Sequence, residues 1–285
     1  MNTLLITHTD LDGISVLVLC KYFGISFKKT LTWNYEQINL NTISRYNDVL
    51  MVDLSVKEEE YLALKQKGID IRIYDHHSTS ECLSKYRGNI WTTEKCGTKL
   101  FYENYVKMLP MFKPNENVEN YVELVDVFDR WQTTNPLWDR ALNLQRLFSL
   151  NSRNFVNIGA SYITRGLVFT PVQSSTILEA IDEENKQYND SLKCMQTFTD
   201  TKGVLYAVFP IRKYSSIICN RILQEHPELI YVIACFKTGR LSVRSKEGFD
   251  ITQLNGISGH KHAGGGYADA QEMRNLMKGV SLPYN

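Results

Sequence analysis

Five of the six histidines in this chain fall in three short clusters: His8 in HTDLDG, His76 and His77 in DHH, and His260 and His262 in GHKHAGGG. The sixth, His226, stands alone in LQEHPEL. The first two clusters each follow a short hydrophobic run, TLLIT and DIRIY, and between them a third run, DVLMVD, ends in Asp53. Imidazole and carboxylate together suit Mn, Fe, Co or Zn better than an all-oxygen calcium site. Carboxylates crowded together repel one another unless cations neutralise them. Two cations about 3.5–4 Å apart can share a carboxylate and clamp both oxygens of a phosphoryl displacement. An Asp at a strand end also commonly caps the following helix. Repetition at three strand ends is what points to metal-dependent hydrolysis. Further along, Asp126 and Asp129 in ELVDVFDRW lie three apart and share a helical face, so either could complete a ligand set.

The third cluster points to an anionic substrate. Glycines 264–266 let the backbone come close enough to offer N–H groups to an anion, and His260 and Lys261 stand beside them. Arg244, at the end of the strand-like GRLSVRS, offers a planar fork suited to phosphate.

These groups need elements to position them. Residues 3–7, 27–33, 48–53 and 70–74 read as strands. Residues 13–24, 55–68, 92–109 and 118–131 read as helices. Alternation of this kind implies a mainly parallel sheet covered by helices, with ligands at the carboxyl ends of its strands. Residues 137–150 and 174–195 look helical. After them come strand-like runs at 204–210, 229–236 and 239–245, a helix over 214–228, the glycine-rich loop and a short helix over 269–278. The expected fold class is therefore α/β and two-lobed: an N-terminal, mainly parallel sheet flanked by helices, then a smaller α/β domain.

The 285 residues favour two domains. Thirty-two basic residues against 31 acidic exclude a broadly basic nucleic-acid coat. The N-terminus lacks the charged region of a signal peptide, and no stretch is apolar enough to span a membrane. The closest two of the six cysteines are 14 positions apart, which fits free thiols in a reducing cytoplasm better than a thiolate zinc site.

At these residues the chain resembles the DHH/DHHA1 phosphoesterase superfamily. HTDLDG, Asp53 in VDLS, Asp75-His76-His77 and LVDVFDRW are similar to its four N-terminal motifs. LSVRS followed by GHKHAGGGYA is similar to its C-terminal signature, with a shorter glycine run before the histidine and Gly264 where alanine is frequent. Among branches the likeness is greatest to the nanoRNases of the NrnB-like type. The resemblance implies a DHH catalytic domain over 1–135, a helical connector over 136–200 and a DHHA1-like substrate-binding domain over 201–285. It implies two Mn ions, one on His8, Asp10 and Asp53, the other on Asp12, Asp53, His76 and Asp126, with Asp129 as the rival to Asp126. His77 would stabilise the transferring phosphoryl group and Asp75 would orient a neighbouring histidine. Arg244, Ser245, Gly259, His260, Gly264 and Gly265 would hold substrate. The implied activity is stepwise removal of 5'-mononucleotides from short single-stranded RNA in the cytoplasm. Alternatives are a phosphatase or phosphodiesterase on a small nucleotide, a RecJ-like exonuclease and a non-catalytic nucleotide binder. Oligomeric state stays open, a homodimer among the options.

Overall fold

The structure is a computed structural model and describes residues 3–200 and 202–277. The chain divides into two compact units, 1–177 and 178–285, with the division falling inside one long helix.

The first unit begins with β1 (Leu4–Thr7), α1 (Leu11–Phe23), β2 (Lys29–Thr32), the single turn α2 (Leu40–Ile43) and β3 (Asp48–Val52). It continues with α3 (Glu58–Gln66), β4 (Asp70–Asp75), β5 (Ile90–Trp91), α4 (Gly97–Asn104) and α5 (Glu116–Asp129). The helices α6 (Trp138–Asn151), α7 (Phe155–Thr164) and α8 (Pro171–Cys194) follow. The strands form one sheet in the order β2-β1-β3-β4-β5, and every pairing is parallel. Leu4, Leu5, Ile6 and Val49 to Val52 are wholly buried, which is why these strands read as unbroken apolar runs rather than alternating ones. On one face α1 packs with α4, α5 and α7. Gly159 of α7 is required there, because a Cβ would lie 2.7 Å from a Val18 methyl. The chain winds outward from β1 to β2, then returns to lay β3 on the other side. Strand order therefore reverses between β1 and β3, and the loops after those two strands border the crevice where such sheets bind ligands.

The second unit holds β6 (Gln196–Thr199), β7 (Leu205–Ile211), α9 (Ser215–Glu225), β8 (Tyr231–Phe236) and β9 (Arg240–Ser245). It ends with β10 (Ile257–His260), β11 (Ala263–Tyr267) and α10 (Ala270–Met277). The sheet order is β10-β11-β9-β8-β7-β6, and only β7 and β8, joined by α9, run parallel. Buried side chains on its two faces, such as Tyr206, Val208 and Ile233 on one and Phe209, Ile218 and Val232 on the other, form its core.

Two local expectations change. The helix expected over 92–109 is confined to α4, preceded by β5 and followed by a 3-10 turn at Val106–Met108. The glycine-rich segment is not an open loop but the hairpin β10–β11, with Lys261 and His262 at its turn. Its glycines let strands approach: a Cβ on Gly265 would lie 2.6 Å from the Leu241 carbonyl oxygen, and one on Gly259 (φ +132°) 2.6 Å from that of Ala263. No described helix is long and apolar enough to cross a membrane, and all six cysteines are free thiols.

Candidate metal centre

His8 leaves β1 and the chain turns at once into α1. Asp10 caps that helix, its Oδ1 accepting the Gly13 N–H at 3.0 Å, while its Oδ2 lies 2.7 Å from His8 Nδ1. The turn is so tight that a Cβ on Gly13 would sit 2.3 Å from the His8 carbonyl oxygen, so the motif must end in glycine. Burial pushes the Asp10 carboxyl up, but the charge and hydrogen bond of His8 outweigh it and hold Asp10 well below the usual carboxylate range.

Asp53 follows β3 with a left-handed backbone (φ +61°) and is wholly buried. Only a few per cent of non-glycine residues take this conformation, Asp and Asn most readily, and it gathers at functional sites. The N-terminus of α4 presses on it: a Cβ on Gly97 would lie 2.5 Å from Asp53 Cβ and 3.0 Å from Asp12 Oδ2. The same helix start holds Asp12. Gly97 N donates to its Oδ2 at 2.6 Å and Thr98 N to its Oδ1 at 2.7 Å, where the positive end of the helix dipole favours an anion.

Asp75 ends β4. Its Oδ1 accepts the His76 N–H at 2.8 Å and lies 2.8 Å from His77 Nδ1. Burial raises its carboxyl, but the His77 hydrogen bond and the two imidazoles prevail and bring it down to about 2. The Asp75 carboxylate therefore places the proton on His77 Nδ1 and turns the Nε2 edge of that ring the other way. His76 Nε2 lies 3.2 Å from Asp53 Oδ1, 3.3 Å from Asp129 Oδ2 and 3.8 Å from Asp12 Oδ2.

Three donor sets result, each with its ligand atoms within 4.8 Å of one another: His8 with Asp10 and Asp53; Asp12 with His76 and Asp129; and Asp53 with Asp75, His76 and His77. Asp53 belongs to the first and the third, its Oδ2 3.8 Å from His8 Nδ1 and its Oδ1 3.2 Å from His76 Nε2, and His76 links the second and the third. The donors fit a divalent cation. Asp53 Oδ2, Asp75 Oδ2 and Asp129 Oδ2 are buried and accept no hydrogen bond among the described residues, a costly arrangement unless a cation compensates it. Burial, with Asp12 and Asp10 as the leading neighbouring charges, drives the carboxyls of Asp53 and Asp129 well above their ordinary range.

Asp126 is not among the converging carboxylates, which changes the expected ligand set. Its Oδ1 accepts the Cys96 N–H at 2.7 Å and its Oδ2 faces Lys99 Nζ at 3.2 Å, Gln132 Nε2 at 3.4 Å and Arg130 Nη1 at 3.5 Å. It ties the start of α4 to α5. Asp129, one turn later at the end of α5, reaches His76 instead.

The second-unit residues lie together on β9, β10 and β11. Arg244 Nη2 donates to Ser216 Oγ at 2.6 Å, and Nη1 to its neighbour's carbonyl, that of Val243, at 2.8 Å. The Ser245 hydroxyl donates to the Phe249 carbonyl at 2.5 Å, which is a loop-closing role. Gly264 and Gly265 pair with Val243 and Ser242 inside the sheet rather than lining an open anion cradle. Gly259 and His260 lie on β10; the His260 side chain lies outside the described part of the structure.

Sequence reasoning missed two contributors. Gly97 and Thr98 clamp Asp12; the signal was a glycine opening a helix. Tyr35, in a 3-10 turn after β2, sets its ring 5.9 Å from that of His77 and 6.0 Å from that of His8, and no motif marks it.

No protein-family model matches the chain. The chain is similar to the oligoribonuclease NrnB of Bacillus subtilis (strain 168), with 26% identity over 297 aligned residues, covering 93% of this chain and 71% of the relative. Among solved structures, the DHH domain of a member of a ribosomal protein family superposes with a TM-score of 0.60 at 16% identity, covering 98% of this chain and 85% of that one. RecJ in complex with Mn2+ from Thermus thermophilus superposes with a TM-score of 0.53 at 14% identity, covering 99% of this chain and 53% of that one. These two likenesses establish the fold. The similarity to the Bacillus subtilis relative runs along nearly the whole chain.

Proposed function

We propose that this protein is a metal-dependent phosphodiesterase that degrades short single-stranded RNA to 5'-mononucleotides, with two Mn ions as its cofactors. The observation that carries this reading is the pair of His/Asp donor sets, at successive strand ends of one sheet, that meet at the buried Asp53. In this reading His8, Asp10 and Asp53 hold one ion, and Asp12, Asp53, His76 and Asp129 hold the other. Bound ions of this kind supply Lewis acidity and activate water for attack on phosphorus.

The protein's own groups do the rest. Helix α4 fixes Asp12 through two backbone N–H groups, so its carboxylate needs no reorganisation when a cation arrives. Asp75 orients His77, and with the ring protonated at both nitrogens Nε2 would donate to the transferring phosphoryl group and stabilise charge there. In the second unit the Arg244 guanidinium is the proposed phosphate ligand, with Gly259 and His260 on β10, which lies beyond β11 in the sheet, as further candidates. Ser245, Gly264 and Gly265 support that strand group rather than contact substrate. A formal net charge of +1 favours oligomers with few phosphates over long polymers, which demand many cationic contacts. The name of the Bacillus subtilis relative, an oligoribonuclease, supports the same substrate class.

The test is a time course of product lengths from an end-labelled RNA ladder of two to about twenty-four nucleotides with Mn present; short targets suit the few phosphate contacts expected. Stepwise release of mononucleotides, fastest from the shortest species, is the expected outcome. Hydrolysis confined to dinucleotides or to a 3'-phosphorylated nucleotide would replace RNA with a small nucleotide as substrate. Intact RNA at every length, with metal bound, would overturn the reading.

A further inference from the structure

Helix α5 ends in an unusual way. Gln132 N donates to Val127 O at 2.9 Å and Trp131 N to Phe128 O at 3.0 Å, the two bonds of a Schellman motif. The residue past the cap of that motif takes the left-handed conformation, and glycine is its usual occupant. Here it is Trp131, at φ +54°. A bulky side chain in that region is a true outlier, and such strain concentrates at functional sites. Glycine would satisfy the helix end equally well, so the motif alone gives no reason for an indole.

The indole has company. Its ring centroid lies 5.0 Å from that of Trp138 and 5.5 Å from that of Phe128, and Phe128 and Trp138 stack at 6.0 Å with 15° between planes. All three rings are half-buried, unlike the wholly buried aromatics of the core such as Tyr121 and Phe101. The cluster flanks Asp129, whose carboxylate reaches His76 in the candidate metal centre. A half-exposed aromatic group beside a phosphodiester-cleaving centre has the chemistry to hold a nucleobase, because every base presents a π face.

We propose that Trp131, backed by Phe128 and Trp138, is the platform on which a nucleobase of the substrate stacks beside the scissile phosphodiester. This rests on the phosphodiesterase reading and adds to it a binding element for the base rather than the phosphate. Stacking tolerates any base, so the platform gives length and single-strand preference without sequence preference.

The experiment compares two ligands that share a phosphate and differ in the base: adenosine 5'-monophosphate and ribose 5-phosphate. Their affinities are measured by calorimetry on the full-length, Mn-loaded protein. Wild type should prefer the nucleotide. Trp131→Gly, which installs the residue the helix end ordinarily uses, should lower that preference about tenfold, and Trp131→Phe should keep most of it. Trp138→Leu, which leaves the strained backbone untouched, should reduce it in the same direction. Thermal midpoints and metal content establish that each variant is folded and loaded. An unchanged preference in Trp131→Gly would overturn the proposal. So would equal weakening of both ligands, since the ring would then act through Asp129. If wild type leaves RNA intact yet its preference for the base depends on Trp131, the phosphodiesterase reading fails and the platform stands. If RNA is degraded and the preference is indifferent to Trp131, the platform alone fails.

Discussion

Asp53 concentrates the conflict that a cation resolves. It is wholly buried, its Oδ2 accepts no hydrogen bond among the described residues, and burial with Asp12 and Asp10 raises its carboxyl well above the ordinary range. A raised carboxyl makes the metal-free fold most stable below the ordinary carboxylate range, and that stability is lost as pH rises through the raised value. At neutral pH the ionised group therefore works against the metal-free fold. Asp53→Asn removes the charge, and asparagine accepts the left-handed backbone as readily as aspartate. The metal-free variant should be more stable at pH 7, and calorimetric titration should detect no tight Mn binding. A lower melting temperature for the metal-free variant would show that the carboxylate is not a strained group awaiting a cation. Asp126 and Asp129 part company in the same way. Asp129→Asn should weaken metal affinity by about 10- to 100-fold or more while leaving the fold intact, since even partners that only orient ligands matter that much. Asp126→Asn removes the ionic partner of Lys99 and Arg130 and should cost about 1–3 kcal/mol of stability, with a smaller effect on metal. Reversal of the two outcomes in paired denaturation and metal titrations would return the ligand role to Asp126.

At the scale of elements, the N-terminus of α4 assembles the centre. It holds both oxygens of Asp12, presses Gly97 against Asp53 and receives Asp126 at Cys96. Gly97→Ala would drive a methyl to within 2.5 Å of Asp53 Cβ, so helix and strand end must separate. The expected result is a loss of about 1–3 kcal/mol of stability together with weakened metal binding, measured by thermal denaturation and Mn titration on one preparation. Wild-type metal affinity would show that the contact only packs. This element also marks the limit of legibility in the sequence. Strands β1 and β3 and the helices α1 and α3 are readable, because apolar runs buried on both faces and glycines at helix ends are local signals. HTDLDG and DHH are readable because their residue types are rare and closely spaced. The clamp is not, because Gly97 and Asp12 are 85 positions apart and only the tertiary fold brings them together. Asp126 and Asp129 cannot be separated by sequence either. Residues at this spacing share a helical face, and the choice depends on Lys99 and Arg130, which claim one carboxylate and leave the other to His76. The glycine run misleads for a related reason: glycine serves close strand approach as well as an anion loop, and β11 needs the former.

At the scale of the whole molecule, every residue of the candidate metal centre lies between His8 and Asp129, within the unit that covers 1–177. Among the described residues, the second unit has its own sheet and its own core, and contributes no donor to these sets. Metal is therefore expected to stabilise one unit directly. A ligand present at 100 times its dissociation constant stabilises the state that binds it by about 2.7 kcal/mol, a factor of about 100 in the opening equilibrium. Hydrogen exchange on the full chain, with and without saturating Mn, resolves where that stabilisation falls. Peptides covering β1, β3, β4 and the start of α4 should slow towards that limit, because the ligands sit at the ends of those strands and the clamp closes on them. Peptides from β7, β8 and β9 should exchange at the same rate in both conditions. Equal slowing of both sheets would mean that the second unit contributes to holding the metal, and the donor sets assigned to His8, Asp10, Asp12, Asp53, His76 and Asp129 would then be incomplete.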